Sequence, residues 1–239
     1  MYEIIHDIYD NLNINKNYEN ECRFILKKFK KYNNFSIKKC LDIGCGTGAH
    51  MSCLSKDINI GFGIDICKEM IEVASKKNIT NIKFINASIE NFEENEFDLI
   101  TLLFQVVNHI HSLNQLINVF KSIYNKLNHG GILIFDVFNN VAMLLDKPKS
   151  EIRNINNKTI KIDSDFDILN STLSIHYNYI DHENNKKLNY SLHETIWSVL
   201  ILKKILTENK FEICEIKNNY TEKDINMNTY KLTFICKKI

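Results

Sequence analysis

The stretch Lys38-Lys39-Cys40-Leu41-Asp42-Ile43-Gly44-Cys45-Gly46-Thr47-Gly48 decides the fold. Lys38 to Ile43 reads as a short apolar strand, glycine then recurs at every second position, and a helix follows over His50 to Lys56. A strand that runs into Gly44-x-Gly46-x-Gly48 makes a tight turn, and glycines without Cβ atoms let a ligand lie against the main chain. Cys45 reads as a small residue that fits the turn rather than as a nucleophile.

Outward from this turn the pattern alternates. Ile60 to Ile66, Ile82 to Asn86, Phe97 to Leu103 and Ile132 to Val137 are short apolar strands, with helices over Lys68 to Lys77 and Leu113 to Leu127. Strands alternating with helices predict a parallel sheet covered on both faces. Before the turn, Tyr2, Ile5, Ile8, Tyr9 and Leu12 recur at helical spacing, as do Tyr18, Cys22, Ile25, Leu26 and Phe29. After Pro148 the character changes. Thr159 to Ile168, Thr172 to Ile180 and Lys187 to Ile196 are long β-rich runs that predict an antiparallel layer of three or four strands. No glycine follows Gly131, so left-handed turns there fall to asparagine at Asn156-Asn157, Asn184-Asn185 and Asn218-Asn219. A helix over Val199 to Asn209 and strands over Phe211 to Lys217 and Tyr230 to Cys236 close the chain. The expected fold is α/β: a doubly wound, seven-stranded, Rossmann-like sheet with an antiparallel β insertion after its fifth strand. Residues 1–148 form the helices and ligand-binding core, 149–197 the insertion over the substrate, and 198–239 the closing elements.

Two acids give the turn its chemistry. Asp65 ends the second strand about twenty residues on, where a carboxylate accepts both ribose hydroxyls of an adenosine. Asp42 opens the loop. A pyrophosphate favours a helix N-terminus without nearby anions, whereas the sulfonium and ammonium of S-adenosylmethionine (SAM) favour a carboxylate there. The spacing G-x-G-x-G also departs from the dinucleotide G-x-G-x-x-G.

Leu41-Asp42-Ile43-Gly44-Cys45-Gly46-Thr47-Gly48 resembles motif I of the class I SAM-dependent methyltransferases, and Asp65 matches their ribose-binding acid. The resemblance spans residues 38 to 137. It implies SAM as cofactor and S-adenosylhomocysteine as product, held by Tyr18, Asp42, Gly44, Cys45, Gly46, Gly48, Asp65, Ile66, Met70, Ser88, Ile89 and Leu103. Ser88 stands where that family often has an acid near the adenine. Tyr9-Asp10, Lys16-Asn17-Tyr18, Phe104-Gln105-Val106-Val107-Asn108-His109-Ile110 and the late insertion are similar to the amino-sugar N,N-dimethyltransferases of antibiotic biosynthesis. That likeness implies a substrate beside His109, closed in by Tyr2 and Tyr9. Glu194 stands where those relatives tend to carry a phosphate-holding arginine.

His109 follows the end of a parallel strand, where open α/β sheets bind ligands. It reads as a base or positioning group, or as a structural histidine at a helix start. Asp136 faces the substrate or serves as a structural acid. His176 and His193 read as surface or packing residues, and Lys27-Lys28-Phe29-Lys30-Lys31 as a solvated helix face.

In 239 residues the 30 basic and 29 acidic side chains leave a formal charge of +1, with no electrostatic footprint for nucleic acid or an anionic membrane. Arg23 and Arg153 are the only arginines, so a bidentate phosphate clamp has few candidates. Seven cysteines without a C-x-x-C pair imply neither a disulfide frame nor a metal site, and fit a cytoplasmic setting. Met1 to Leu12 carries three acids and lacks the apolar core of a signal peptide. The expectation is a monomeric or homodimeric SAM-dependent methyltransferase of a small polar metabolite, foremost a sugar amine that is free or nucleotide-linked. O-methylation of a sugar or similar molecule is the alternative. A non-catalytic SAM-fold binding protein and an NAD-dependent oxidoreductase are the rivals.

Overall fold

The computed structural model describes residues 9–145, 149–155 and 157–239; Tyr2 lies outside them. The glycine turn leaves β1 (Ile37–Ile43), whose parallel neighbours are β2 (Ile58–Asp65) and β4 (Phe97–Leu102). Outside these run β3 (Ile82–Asn86), parallel to β2, and β5 (Leu127–Phe138), parallel to β4. β10 (Phe211–Asn218) and β11 (Lys231–Lys238) complete the seven-stranded sheet in the order β10-β11-β5-β4-β1-β2-β3, with β11 antiparallel to both its neighbours. Strand order reverses between β1 and β4. Such a switch opens a crevice at the carboxyl ends of the strands.

Among the described residues the helices are α1 (Tyr9–Leu12), α2 (Tyr18–Tyr32), α3 (Ala49–Leu54), α4 (Lys68–Ser75), α5 (Leu113–Lys126), α6 (Asn140–Leu145) and α7 (Val199–Glu208). Successive strand side chains enter different cores, as the two-residue period of a strand requires. Cys40, Leu99, Ile132, Ile134 and Ile235 pack with Ile25 and Phe29 of α2 and Met51 and Leu54 of α3. Leu41, Ile100, Leu133, Phe135 and Phe234 pack with Phe120 and Ile123 of α5 and Leu202 and Leu206 of α7. Each such large apolar side chain stabilises the fold by about 1.5–3 kcal/mol when removed from water. Serine caps set two helix starts: Ser112 accepts from the Gln115 amide, and Ser198 from the Ile201 amide.

The second sheet is antiparallel, in the order β6 (Lys149–Ile155), β7 (Lys158–Asp167), β8 (Thr172–Asp181), β9 (Lys186–Thr195). Asn157, Asn185 and Asn219 adopt φ of 54°, 49° and 39°, the left-handed turn positions expected of asparagine. β6 was not among the expected strands: its only apolar residues are Ile152 and Ile155, because it is an edge strand whose alternation is carried by Lys149, Glu151 and Arg153. β5 starts earlier than expected. Leu127 pairs with Phe97 and the register then jumps to Ile132 opposite Leu99, so the regular ladder begins where the apolar run does. No helix among the described residues is long and apolar enough to cross a membrane.

Candidate functional site

The crevice beyond β1, β2 and β4 is a cleft lined by Tyr9, Tyr18, Gly44, Cys45, Gly46, Thr47, Ala49, His50, Asp65, Ile66, Met70, Leu103, Phe104, Val106 and His109. Its floor is the glycine turn. A Cβ built on Gly46 (φ +53°) would meet nothing within 4 Å, so the backbone faces open space there. Asp65 is fixed by two amides: Cys67 N–H donates to Oδ1 and Gly46 N–H to Oδ2, both at 2.8 Å. Burial raises its pKa, and those amide bonds oppose the rise. Each carboxylate oxygen keeps accepting capacity for a further donor from the cleft. An adenosine fits these residues. Asp65 offers open acceptor sites of the kind ribose hydroxyls need, Ile66 and Met70 supply apolar surface, and the open Gly46 backbone leaves room for close approach.

Long-range contacts hold the cleft's roof. Thr47 Oγ1 donates to Asp10 Oδ1, and Lys77 Nζ lies 3.2 Å from Asp10 Oδ2, which ties α1 to the turn. On the other side, Arg153 Nη1 donates to the Leu12 carbonyl at 3.2 Å. Glu21 joins Lys16 (2.9 Å) to His50 Nε2 (2.7 Å), and Tyr18 packs edge-on against His50 at 4.9 Å.

A second cavity of about 430 Å³ lies between the core and the inner face of the antiparallel sheet, and shares Tyr9, Phe104 and His109 with the cleft. Its sheet wall obeys the strand period: Lys149, Glu151 and Arg153 from β6, Ile162 and Ser164 from β7, Leu173, Ile175 and Tyr177 from β8, Leu192 and Glu194 from β9. His176 and His193 fall on the opposite, exposed face and pair with Ser191 (2.7 Å) and Ser174 (3.0 Å).

The junction of the two cavities is built on a strained turn. Phe104 and Gln105 both have positive φ, 67° and 62°. Asp136, fully buried, accepts from the Phe104 amide at 2.6 Å, from the Gln105 amide and side chain, and from Tyr220 Oη at 2.7 Å. The next turn, Val106–His109, is pinned to the end of β9. Asn108 Nδ2 donates to the Thr195 carbonyl at 2.8 Å, and Trp197 Nε1 to the Ile110 carbonyl at 3.0 Å. His109 is thereby set with Nε2 3.9 Å from Glu194 Oε1. Burial, with His111 nearby, lowers the His109 pKa to about 4, so its imidazole is neutral at neutral pH. Burial raises Glu194 to about 7; Lys231 opposes that rise and Asp136 adds to it.

Of the residues expected at the cofactor, Tyr18, Gly44, Cys45, Gly46, Asp65, Ile66, Met70 and Leu103 line the cleft. Asp42, Gly48, Ser88 and Ile89 are not in its wall. Asp42 corrects the expectation that it meets the cofactor's cations directly. Its side chain turns into the sheet, 1% exposed, and accepts from Thr101 Oγ1 at 2.7 Å. Ile89 packs in the core instead. Tyr9 and His109 line both cavities. Asp136 takes the structural one of its two readings: it lines neither cavity, and the Phe104–Gln105 turn and Tyr220 donate to its oxygens. Sequence reasoning did not assign His50, Tyr177, Glu194 or Lys231 to a cavity wall. For Tyr177 and Glu194 the signal was available in the two-residue period shared with Leu173, Ile175 and Leu192.

Sheet order and glycine turn are those of the Rossmann-like fold found in class I SAM-dependent methyltransferases. Residues 41–135 match the family model of the methyltransferase domain. A Geobacillus protein named as a methyltransferase is 30% identical over 146 residues, 59% of each chain. Other curated relatives bear O-methyltransferase names. The chain spans 42–59% of the length of the first curated relatives it matches. A SAM-dependent methyltransferase from Clostridium acetobutylicum superposes with a TM-score of 0.86 at 23% identity, over 99% of this chain and 98% of that one. The sugar N-methyltransferase of a Streptoalloteichus species does so with a TM-score of 0.77 at 16% identity, over 98% and 92%.

Proposed function

We propose that the chain is a SAM-dependent methyltransferase whose acceptor is the amine of a small polar metabolite of sugar size. One observation carries the reading: the cofactor cleft adjoins a second cavity whose wall mixes charged, hydroxyl and apolar side chains, and His109 stands in the wall of both. Asp65 would hold the ribose, the Gly44–Gly46 backbone the methionine end, and Ile66 and Met70 the base. Bound SAM supplies a methyl group on a positively charged sulfur. The protein's contribution is alignment, which in well-oriented systems is worth about 7–11 kcal/mol. Tyr9, Phe104 and His109 position the acceptor nitrogen at the junction, and the α1 roof excludes water.

The sugar part of the reading draws on the likeness to the Streptoalloteichus enzyme and on the cavity's mixed polar wall. Arg153, the arginine in that wall, is engaged by both oxygens of Glu151 (2.8 and 3.0 Å), which favours an acceptor without a nucleotide phosphate. The test has two arms. Asp65→Asn should weaken SAM binding at least tenfold in a calorimetric titration, the loss of about 1.5–3 kcal/mol per charged hydrogen bond. His109→Ala should cut turnover of amino-sugar acceptors by about 10²-fold or more with SAM affinity unchanged. Wild-type SAM affinity in the first variant would remove the ribose assignment. Exclusive labelling of hydroxyl acceptors by methyl-labelled SAM would replace the amine with an alcohol.

A further inference from the structure

Glu194 is the polar group of the second cavity that the fold does not use. It is 5% exposed, and among the described residues its Oε2 has no hydrogen-bond partner. A buried carboxylate oxygen left unmatched is costly, so the fold itself gains nothing from it. Among the described residues no cation hydrogen-bonds that oxygen. His109, 3.9 Å away, is neutral at neutral pH. Lys231 lies over the rings of Phe104 (5.1 Å) and Phe138 (5.6 Å), and burial lowers its pKa. Tyr177 from β8 faces Glu194, and burial pushes its phenol up to about 12, which keeps it neutral. Asp136 adds negative field from β5. Lys231 acts on Glu194 through its field without a hydrogen bond to Oε2, so that oxygen stays open to a cationic donor from the cavity.

We propose that Glu194 is the acceptor-amine site: its carboxylate receives the substrate's ammonium beside His109 and takes one of its protons. The proposal rests on the methyltransferase reading and deepens it by naming the acceptor as a cationic amine rather than an alcohol or a phosphate. The protons and electrons balance within the site. An acceptor R-NH₃⁺ passes one proton to Glu194 and becomes R-NH₂. Its freed lone pair forms the bond to the methyl carbon as the carbon–sulfur bond breaks, with that pair kept on sulfur. The product R-NH₂CH₃⁺ carries the positive charge that the sulfur has lost. Glu194 then returns its proton to solvent when the cavity opens. An ionised Glu194 also raises the local concentration of ammonium over neutral molecules of the same shape.

The test uses the full chain loaded with S-adenosylhomocysteine and two rings of matched shape, cyclohexylamine and cyclohexanol, titrated calorimetrically at about pH 8, above the point where Glu194 ionises. Binding in the millimolar range is expected of so small a probe. The amine should bind at least tenfold more tightly than the alcohol. Glu194→Gln, nearly isosteric, should abolish that preference while SAM affinity stays within about twofold and the melting temperature does not fall. Equal binding of the two rings, stronger binding of the alcohol, or no binding of either would overturn the assignment with the cofactor site intact. Loss of SAM binding by the wild-type chain would instead sink the methyltransferase reading itself. The wild-type comparison requires no variant and stands even if the substitution disturbs folding.

Discussion

Two glycines on either side of Cys45 separate folding from ligand binding at the turn. Gly44 and Gly46 both have positive φ, +68° and +53°, and an L-residue forced there costs about 1–2 kcal/mol. Their surroundings differ. A Cβ on Gly44 would lie 2.6 and 2.9 Å from the two γ-carbons of Val106, while one on Gly46 would meet nothing within 4 Å. Gly44→Ala therefore adds an overpacking cost of about 1–3 kcal/mol to the dihedral cost, for a total near 2–5 kcal/mol. At about 2–4 °C per kcal/mol for a chain of this size, its melting temperature should fall by about 4–20 °C. Gly46→Ala should lose about 2–8 °C. Its methyl, however, enters the cleft where SAM would rest on the backbone. The same 1–3 kcal/mol then appears as a 5- to 150-fold loss of SAM affinity, by about tenfold per 1.4 kcal/mol. Differential scanning calorimetry of the apoproteins and calorimetric titration with SAM measure both quantities. A Gly46→Ala protein with wild-type SAM affinity would show that the ligand does not lie on this turn. A Gly44→Ala protein as stable as Gly46→Ala would refute the steric part of the reasoning.

Glu194 makes a stability prediction that is independent of any substrate. Its carboxyl ionises near 7 in the fold, against an ordinary 4.5, so between those values the native state binds more protons than the unfolded chain and stability falls as pH rises. Relative to the wild type, Glu194→Gln should gain about 3 kcal/mol across that window and nothing more above it; urea denaturation at about pH 5 and pH 8 should reveal the gap, and a pH-independent difference would remove the burial argument. Asp136→Ala should orphan the Phe104 and Gln105 amides and Tyr220 Oη, each costing about 1–3 kcal/mol. Its melting temperature should drop by about 10 °C, and a change below about 2 °C would mean that the turn needs no such support.

The crevice was legible because its parts are local. A strand, three spaced glycines and an acid at the next strand end are contiguous features, and the parallel order that unites them follows from alternating strands and helices. The asparagine turns were legible for the same reason, since a left-handed residue is a property of one position. Asp42 was misread as a ligand contact because sequence gives the position of a side chain along a strand but not which neighbour it meets. Thr101, on the adjacent strand, takes that carboxylate.

What the chain determined by itself is therefore the sheet, the turn and the acid at the end of β2, each specified within a few tens of residues by periodicity and backbone freedom. Tertiary structure decided the rest. It made Asp136 the anchor of the Phe104–Gln105 turn, the structural one of its two readings, and brought Tyr220 to it from 84 positions away. It also set Glu194 opposite His109, because Asn108 and Trp197 tie two distant segments together. Contacts between residues so far apart depend on packing and sheet register, and neither leaves a mark in the local order of the amino acids.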